Sequence, residues 1–250
     1  MVGYKSKPRT WAQISYSAFQ RLLWANAAFP DQPEELLRWQ VAILTGRTKQ
    51  QVDAWPMARI ERWHLSRDFL RNTPTVAANP TLVYGHRRYR LPHDLGDLPL
   101  AAWLYLERTL PEATNRPIPA LAVAMAATQA SFEANALPGL EQKLEKMPVP
   151  TVLGLVQGLT EALGALHAQY PEVFGTPGAA DTPPQPLGPG QHYLERWGWN
   201  ALLAELNGGH LPPADREAWL AAPVHVVFQE LSRRNDWAAL LHASSSSSTV

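Results

Sequence analysis

Proline placement constrains this chain more than any other feature. Twenty-three of its 250 residues are proline, roughly twice the ~5 % typical of proteins. Pro30, Pro33, Pro56, Pro74, Pro80, Pro92, Pro99, Pro111, Pro117, Pro119, Pro138, Pro148 and Pro150 all fall between apolar-periodic segments. Proline lacks the amide hydrogen that a helix interior needs, and its ring collides with the preceding turn. It is tolerated in a first turn and disruptive further in. The chain is therefore expected to fold as a series of short helices.

Apolar spacing supplies those helices. Trp11–Ala28 places Ile14, Ala18, Leu22 and Ala25 on one face. Asp31 and Pro33 start a second helix that runs to Leu44 and ends at Gly46. Thr48, a hydroxyl able to cap, and Gln51, an amide three residues on, form a capping-box pattern. That short helix stops at Trp55-Pro56, and another spans Met57–Leu70. From Pro80 the apolar period becomes alternating, which predicts a β-hairpin over 81–84 and 88–91 turned at Gly85-His86. Helices then resume over Leu98–Leu110, Pro119–Ser131, Leu140–Lys146 and Pro150–Tyr170. In the last, Val152, Leu155, Val156, Leu159, Leu163 and Leu166 form one stripe, while Gly154 and Gly158 predict the close approach of a neighbouring helix.

The fold class that follows is mostly α: a multi-helix domain with one small β-hairpin, then a Pro/Gly-rich linker and a short C-terminal helical module. The expected boundaries are a flexible N-terminus over 1–10, the main helical domain over 11–170, the linker over 171–190, the small module over 191–243 and a Ser-rich disordered tail over 244–250. About fifty residues is marginal for independent stability, so the module is expected to dock on the rest of the chain or on a partner.

Composition excludes several functions. With 22 basic and 22 acidic residues, the chain lacks the basic excess of a long nucleic-acid track. It has no cysteine, so disulfides, thiolate catalysis and Cys-based zinc sites are out. The opening MVGYKSKPRTWAQ lacks the apolar stretch of a signal peptide. The longest apolar run, Val149 to Tyr170, is interrupted by Gln157, Thr160, Glu161 and His167, so no membrane contact and a cytoplasmic location are expected.

The chain offers no catalytic signature. Its eight histidines stand singly; His86 and His93 flank the hairpin with Asp94 and Asp97 nearby, a placement that turn and loop chemistry explains without a metal. Glu107 with Glu112, and Glu141 with Glu145, read as solvated helix faces. No phosphate loop, dinucleotide fingerprint or nucleophile elbow is present. The expectation is a protein that is not an enzyme, with no catalytic residue, no cofactor and no metal. Arg87, Arg88 and Arg90 around Tyr89 form the one basic cluster, a pattern that suits phosphate contact with base stacking. Of the ten tryptophans, Trp24, Trp39, Trp63, Trp103, Trp219 and Trp237 sit in helical patterns and are expected in the core.

Three stretches carry a resemblance. LLRWQVAILTGRTKQQVDAWPMARIERWHLSRDFL (36–70), TLVYGHRRYRLPHDLGDLPLAAWLYLE (81–107) with PALAVAMAAT (119–128), and GWNALLAELNGGHLPPADREAWLAAPVHVVFQELSRRNDW (198–237) occur in this order. Together they resemble tail assembly chaperones of tailed bacteriophages, in a long form whose main domain carries a C-terminal extension. The resemblance implies a non-enzymatic chaperone that binds the tape-measure protein, a long helical chain, and helps recruit tail tube subunits. It also leaves self-association open. Exposed aromatics of the C-terminal module, Trp197, Trp199, Trp219 and Phe228, are the expected partner contacts. The alternatives are a structural virion component, such as a neck or connector protein, and a helical DNA-binding regulator or enzyme whose site the sequence does not display.

Overall fold

A computed structural model of the chain describes residues 8–77, 81–129, 132–174 and 189–234. The protein is mostly α. Among the described residues the helices are α1 (Tyr16–Ala28), α2 (Pro33–Thr45), α3 (Lys49–Asp53), α4 (Met57–Leu65), α5 (Leu100–Ala113), α6 (Pro117–Ala126), α7 (Leu137–Lys146), α8 (Val149–Gln169), α9 (Pro171–Phe174), α10 (Pro189–Leu206), α11 (Pro213–Ala221) and α12 (224–234). One antiparallel pair, β1 (Leu82–Tyr84) and β2 (Arg87–Tyr89), forms the sheet. Proline marks the starts as expected: Pro33, Pro117, Pro138 and Pro213 occupy first turns. Pro111 differs, lying in the last turn of α5, where it removes one bond from an end that frays anyway.

The chain divides into two compact units, each discontinuous in sequence. Unit 1 comprises 1–90 and 136–157; unit 2 comprises 91–135 and 158–250. This corrects the expected division into a main domain over 11–170 and a separate module over 191–243. The segment after 190 is too short to enclose a core, and it completes one begun by α5. Of the expected linker, Pro171–Phe174 is helical and Pro189 already begins α10; residues 175–188 lie outside the described residues, as do most of the N-terminal stretch and the serine tail.

Unit 1 buries the predicted α1 face, Ile14, Ala18, Leu22 and Ala25, against Val41–Leu44 of α2, Val52, Ile60 and Val149. The expected helix over Trp11–Ala28 is broken at Ser15. The Ser15 hydroxyl caps α1 by accepting from Ala18 N, and the chain there bonds to the start of α8: Tyr16 N to Met147 O at 2.9 Å, and Val149 N to Ile14 O at 3.0 Å. Gly46 ends α2 in the left-handed conformation at φ 67°. Thr48 and Gln51 form the capping box, with both reciprocal hydrogen bonds made. α4 ends at Leu65, short of the expected Leu70, because the Ser66 hydroxyl bonds back to Trp63 O at 2.6 Å and Arg67 folds over the Trp63 ring. Gly154 admits an extended segment and not the expected helix: a Cβ there would lie 2.1 Å from Ala77 O, and Ala77 N bonds Pro150 O at 2.9 Å.

Unit 2 repeats the stitch that joins helix starts in unit 1. Leu100 N bonds Ala222 O and Val224 N bonds Leu98 O, both at 2.8 Å, so the entries to α5 and α12 lie antiparallel. Below this clasp α6 is almost wholly buried. Phe228 has no exposed surface, and its ring lies 5.6 Å from Trp103, 5.4 Å from Tyr170 and 5.2 Å from Phe174 in edge-to-face contacts. α10 breaks at Gly198 (φ 71°) and ends at Leu206, just before Gly208 and Gly209, both at positive φ. Arg234 caps its last carbonyls, donating to Glu205 O at 3.0 Å and Leu206 O at 2.8 Å, and Glu230 holds the guanidinium in place. Hydrogen bonds from Arg233 and Arg234 lower the Glu230 pKa to about 2.

By length and composition one helix among the described residues, α8, could cross a membrane. Its residues Val152, Leu155, Leu159 and Leu166 are buried within the protein.

Candidate functional site

Among the described residues, the largest exposed aromatic lies in unit 1. Leu23 and Trp24 stand out from α1, each 51 % exposed. Helical geometry forces this: α1 buries Ala18, Leu22 and Ala25, so its neighbours at 23 and 24 point elsewhere. Trp24 is not loose. Its ring meets Trp39 at 5.2 Å and Phe29 at 5.9 Å, both edge to face, and Phe29 stacks on Trp39 at 6.3 Å. Gln40 Nε2 donates to Asn26 Oδ1 at 3.2 Å, fixing α2 beside α1 under this cluster. A rigid aromatic with two held neighbours binds apolar side chains without much further loss of rotamer freedom. Trp24 was expected in the core; the structure puts it at the surface. Trp63 and Trp103 are buried as expected, Trp39 and Trp219 are half-buried, and Trp237 lies outside the described residues.

The C-terminal aromatics fare differently. Phe228 is a core residue of unit 2 and offers no surface to a partner, because α12 needs that ring to fill the space between Trp103, Tyr170 and Phe174. Trp199 is half-buried, stacks on Phe228 at 6.4 Å and donates from Nε1 to Glu107 Oε2 at 2.6 Å. Although Glu107 as a residue is exposed, burial around its carboxyl raises its pKa, and the Trp199 bond only partly offsets this. The side chain of Trp197 lies outside the described residues.

The hairpin separates its basic residues. Leu82 pairs with Tyr89, Val83 with Arg88 and Tyr84 with Arg87, about a turn in which Gly85 takes φ 60°. Leu82 and Tyr89 are buried. Arg87 and Arg88, adjacent on β2, project to opposite faces, and Arg90 follows the strand. Tyr89, the ring that would stack a base, is inside the fold.

A second arrangement escaped the sequence reading. In unit 2, Tyr170 Oη lies 2.7 Å from Nδ1 of His225, and His225 Nε2 lies 2.9 Å from Oδ2 of Asp94. Asp94 Oδ1 accepts from Gly96 N at 2.7 Å. Gly96 has to be glycine, because a Cβ would sit 2.0 Å from the His225 ring. Asp97 is exposed and brings a carboxylate oxygen to within 4.8 Å of one ligand atom each of His225 and Asp94. Burial opposes ionisation of Asp94, but the bonds from His225 and Gly96 outweigh it and lower its pKa. Asp94 and Asp97 thus meet His225, while His86 and His93, their neighbours in sequence, stay exposed on the surface. The partner is 131 residues away from Asp94, and no local spacing reports such a pair. The two signals available were the like-built helix entries, Asp97-Leu98-Pro99-Leu100 and Ala222-Pro223-Val224-His225.

Compared with known protein families, curated proteins and solved structures, the chain finds no significant match.

Proposed function

We propose that this protein is a non-enzymatic tail assembly chaperone of a bacteriophage or prophage, working in the host cytoplasm. It would hold the apolar face of the tape-measure helix and pass that chain to tail tube subunits. One observation carries the reading: the exposed Leu23–Trp24 pair on α1, backed by Phe29 and Trp39. A long amphipathic helix aggregates unless its apolar stripe is covered, and a rigid aromatic ridge covers such a stripe reversibly. The order of the three resembling segments supports the same reading, and α2, most of which lies in the first of them, contributes Trp39 to the ridge.

The test is co-expression with the long helical open reading frame that the proposal expects beside this gene, followed by pull-down and sizing of the soluble fraction. The wild-type chain keeps the long protein soluble and co-purifies with it. Leu23→Ser combined with Trp24→Ala lowers recovery of the complex at least tenfold while leaving the chaperone folded. If the long protein stays insoluble or unbound with the wild-type chain, the proposal fails. Detection of this chain as a stoichiometric part of purified particles would instead assign it to the virion.

A further inference from the structure

We propose that Asp94, Asp97 and His225 bind one divalent first-row transition-metal ion of the zinc class. The three ligand atoms already lie within 4.8 Å of one another. Zinc-class ions hold oxygen and nitrogen ligands at about 2.0–2.2 Å in a tetrahedral set, which puts neighbouring ligands about 3.3–3.6 Å apart. Asp94 Oδ2 and His225 Nε2, hydrogen-bonded at 2.9 Å, open by about 0.4–0.7 Å to take an ion between them. Asp97 has to approach by no more than about 2 Å to complete the set, and as an exposed side chain it can turn to do so.

The supporting contacts are those a metal site needs. A ligating imidazole keeps its orientation by donating its other ring N–H, and Tyr170 Oη stands 2.7 Å from Nδ1 to receive it. That leaves the Nε2 lone pair for the metal. Asp94 is oriented in the same way, by the Gly96 amide on Oδ1, with Oδ2 left toward the imidazole. The backbone bonds between 98–100 and 222–224 hold the two ligand-bearing segments in register. One nitrogen and two carboxylate oxygens suit zinc, cobalt or manganese better than calcium, which takes six to eight oxygens. Three protein ligands leave a position for water or a partner's side chain. The ion would join the 94–97 turn to the first turn of α12, tightening a unit whose two halves are far apart in sequence.

The full-length chain, stripped with chelator, is titrated with Co²⁺ and Zn²⁺ by visible absorption and calorimetry, with melting followed alongside. The wild type is expected to bind one equivalent, to develop cobalt d–d absorption and to melt higher with Zn²⁺. Asp97→Asn, a change at an exposed side chain, weakens binding at least tenfold and abolishes the rise in melting temperature without altering the metal-free fold. Tyr170→Phe binds more weakly than wild type but still at one equivalent. If wild type shows no cobalt absorption, or Asp97→Asn binds as tightly as wild type, the site does not exist and other surface histidines account for any uptake.

Discussion

Replacing Phe228 with alanine separates two roles that the residue could have. Its ring has no exposed surface and lies within 5.6 Å, centroid to centroid, of Trp103, Tyr170 and Phe174, edge to face in each case. Truncating a buried phenylalanine costs about 3–5 kcal/mol, from lost transfer energy and the cavity left behind. The surrounding rings belong to α5, the end of α8 and α9, which backbone hydrogen bonds hold, so collapse into the cavity is limited and the upper half of that range is expected. For a chain of this length 1 kcal/mol corresponds to roughly 2–4 °C, so the transition of unit 2 falls by about 8–20 °C. Thermal melts and urea titrations followed by near-ultraviolet circular dichroism read it directly, since Trp103 and Trp199 flank the ring. Phe228→Leu, which nearly conserves volume, costs less than about 1.5 kcal/mol beyond the lost ring contacts. A Phe228→Ala protein that melts within a degree of wild type and has lost only partner binding would refute the core assignment.

Three further outcomes are expected. Gly154→Ala gains about 1 kcal/mol of helix propensity but drives a Cβ to 2.1 Å from Ala77 O, a backbone clash costing about 1–3 kcal/mol or more; urea titration shows net destabilisation, whereas Gly164→Ala, with nothing within 4 Å, is neutral or stabilising. Thr48→Ala removes the cap of α3 and half of its capping box, lowering stability by about 1 kcal/mol with no change in urea m-value. Glu230 has its pKa lowered to about 2, so the stability it contributes is fully present above its ordinary value near 4.5 and is lost as pH falls toward 2; the gap between wild type and Glu230→Gln, measured by urea titration from pH 6 to pH 2, therefore narrows over that window.

Local chemistry was legible in the sequence. Ile14, Ala18, Leu22 and Ala25 share a buried face, Gly46 ends its helix, Thr48 and Gln51 make their box, and the hairpin turns at Gly85. Each depends on residues a few positions apart. What failed depended on distant ones. Ser15 breaks a continuous helical pattern because Met147 and Val149 bond to its neighbours. Trp24 is apolar and helical, yet it faces outward, because the smaller Ala18, Leu22 and Ala25 already fill the seam with α2. Phe228 looked like a docking residue because its own segment is short, and only α5, α8 and α9 show what it fills. Of the candidate metal ligands, Asp94 and Asp97 were visible as a pair. His225 was not, since one clasp between two helix entries brings it to them.

The interleaving of the two units bears on how the chain is made and how it can be cut. The path passes from one unit to the other at 90/91, 135/136 and 157/158, the last within α8. A ribosome releases the final segment of unit 1, α7 and the start of α8, only after all of 91–135 has emerged, so α5 and α6 are made before unit 1 is complete. The closing piece of unit 2, with Val224 and Phe228, comes last. No single break in the backbone frees either unit, and no truncation from one end removes one and spares the other. A product that stopped before α12 would lack Val224 and Phe228, and with them the closing part of the core around Trp103.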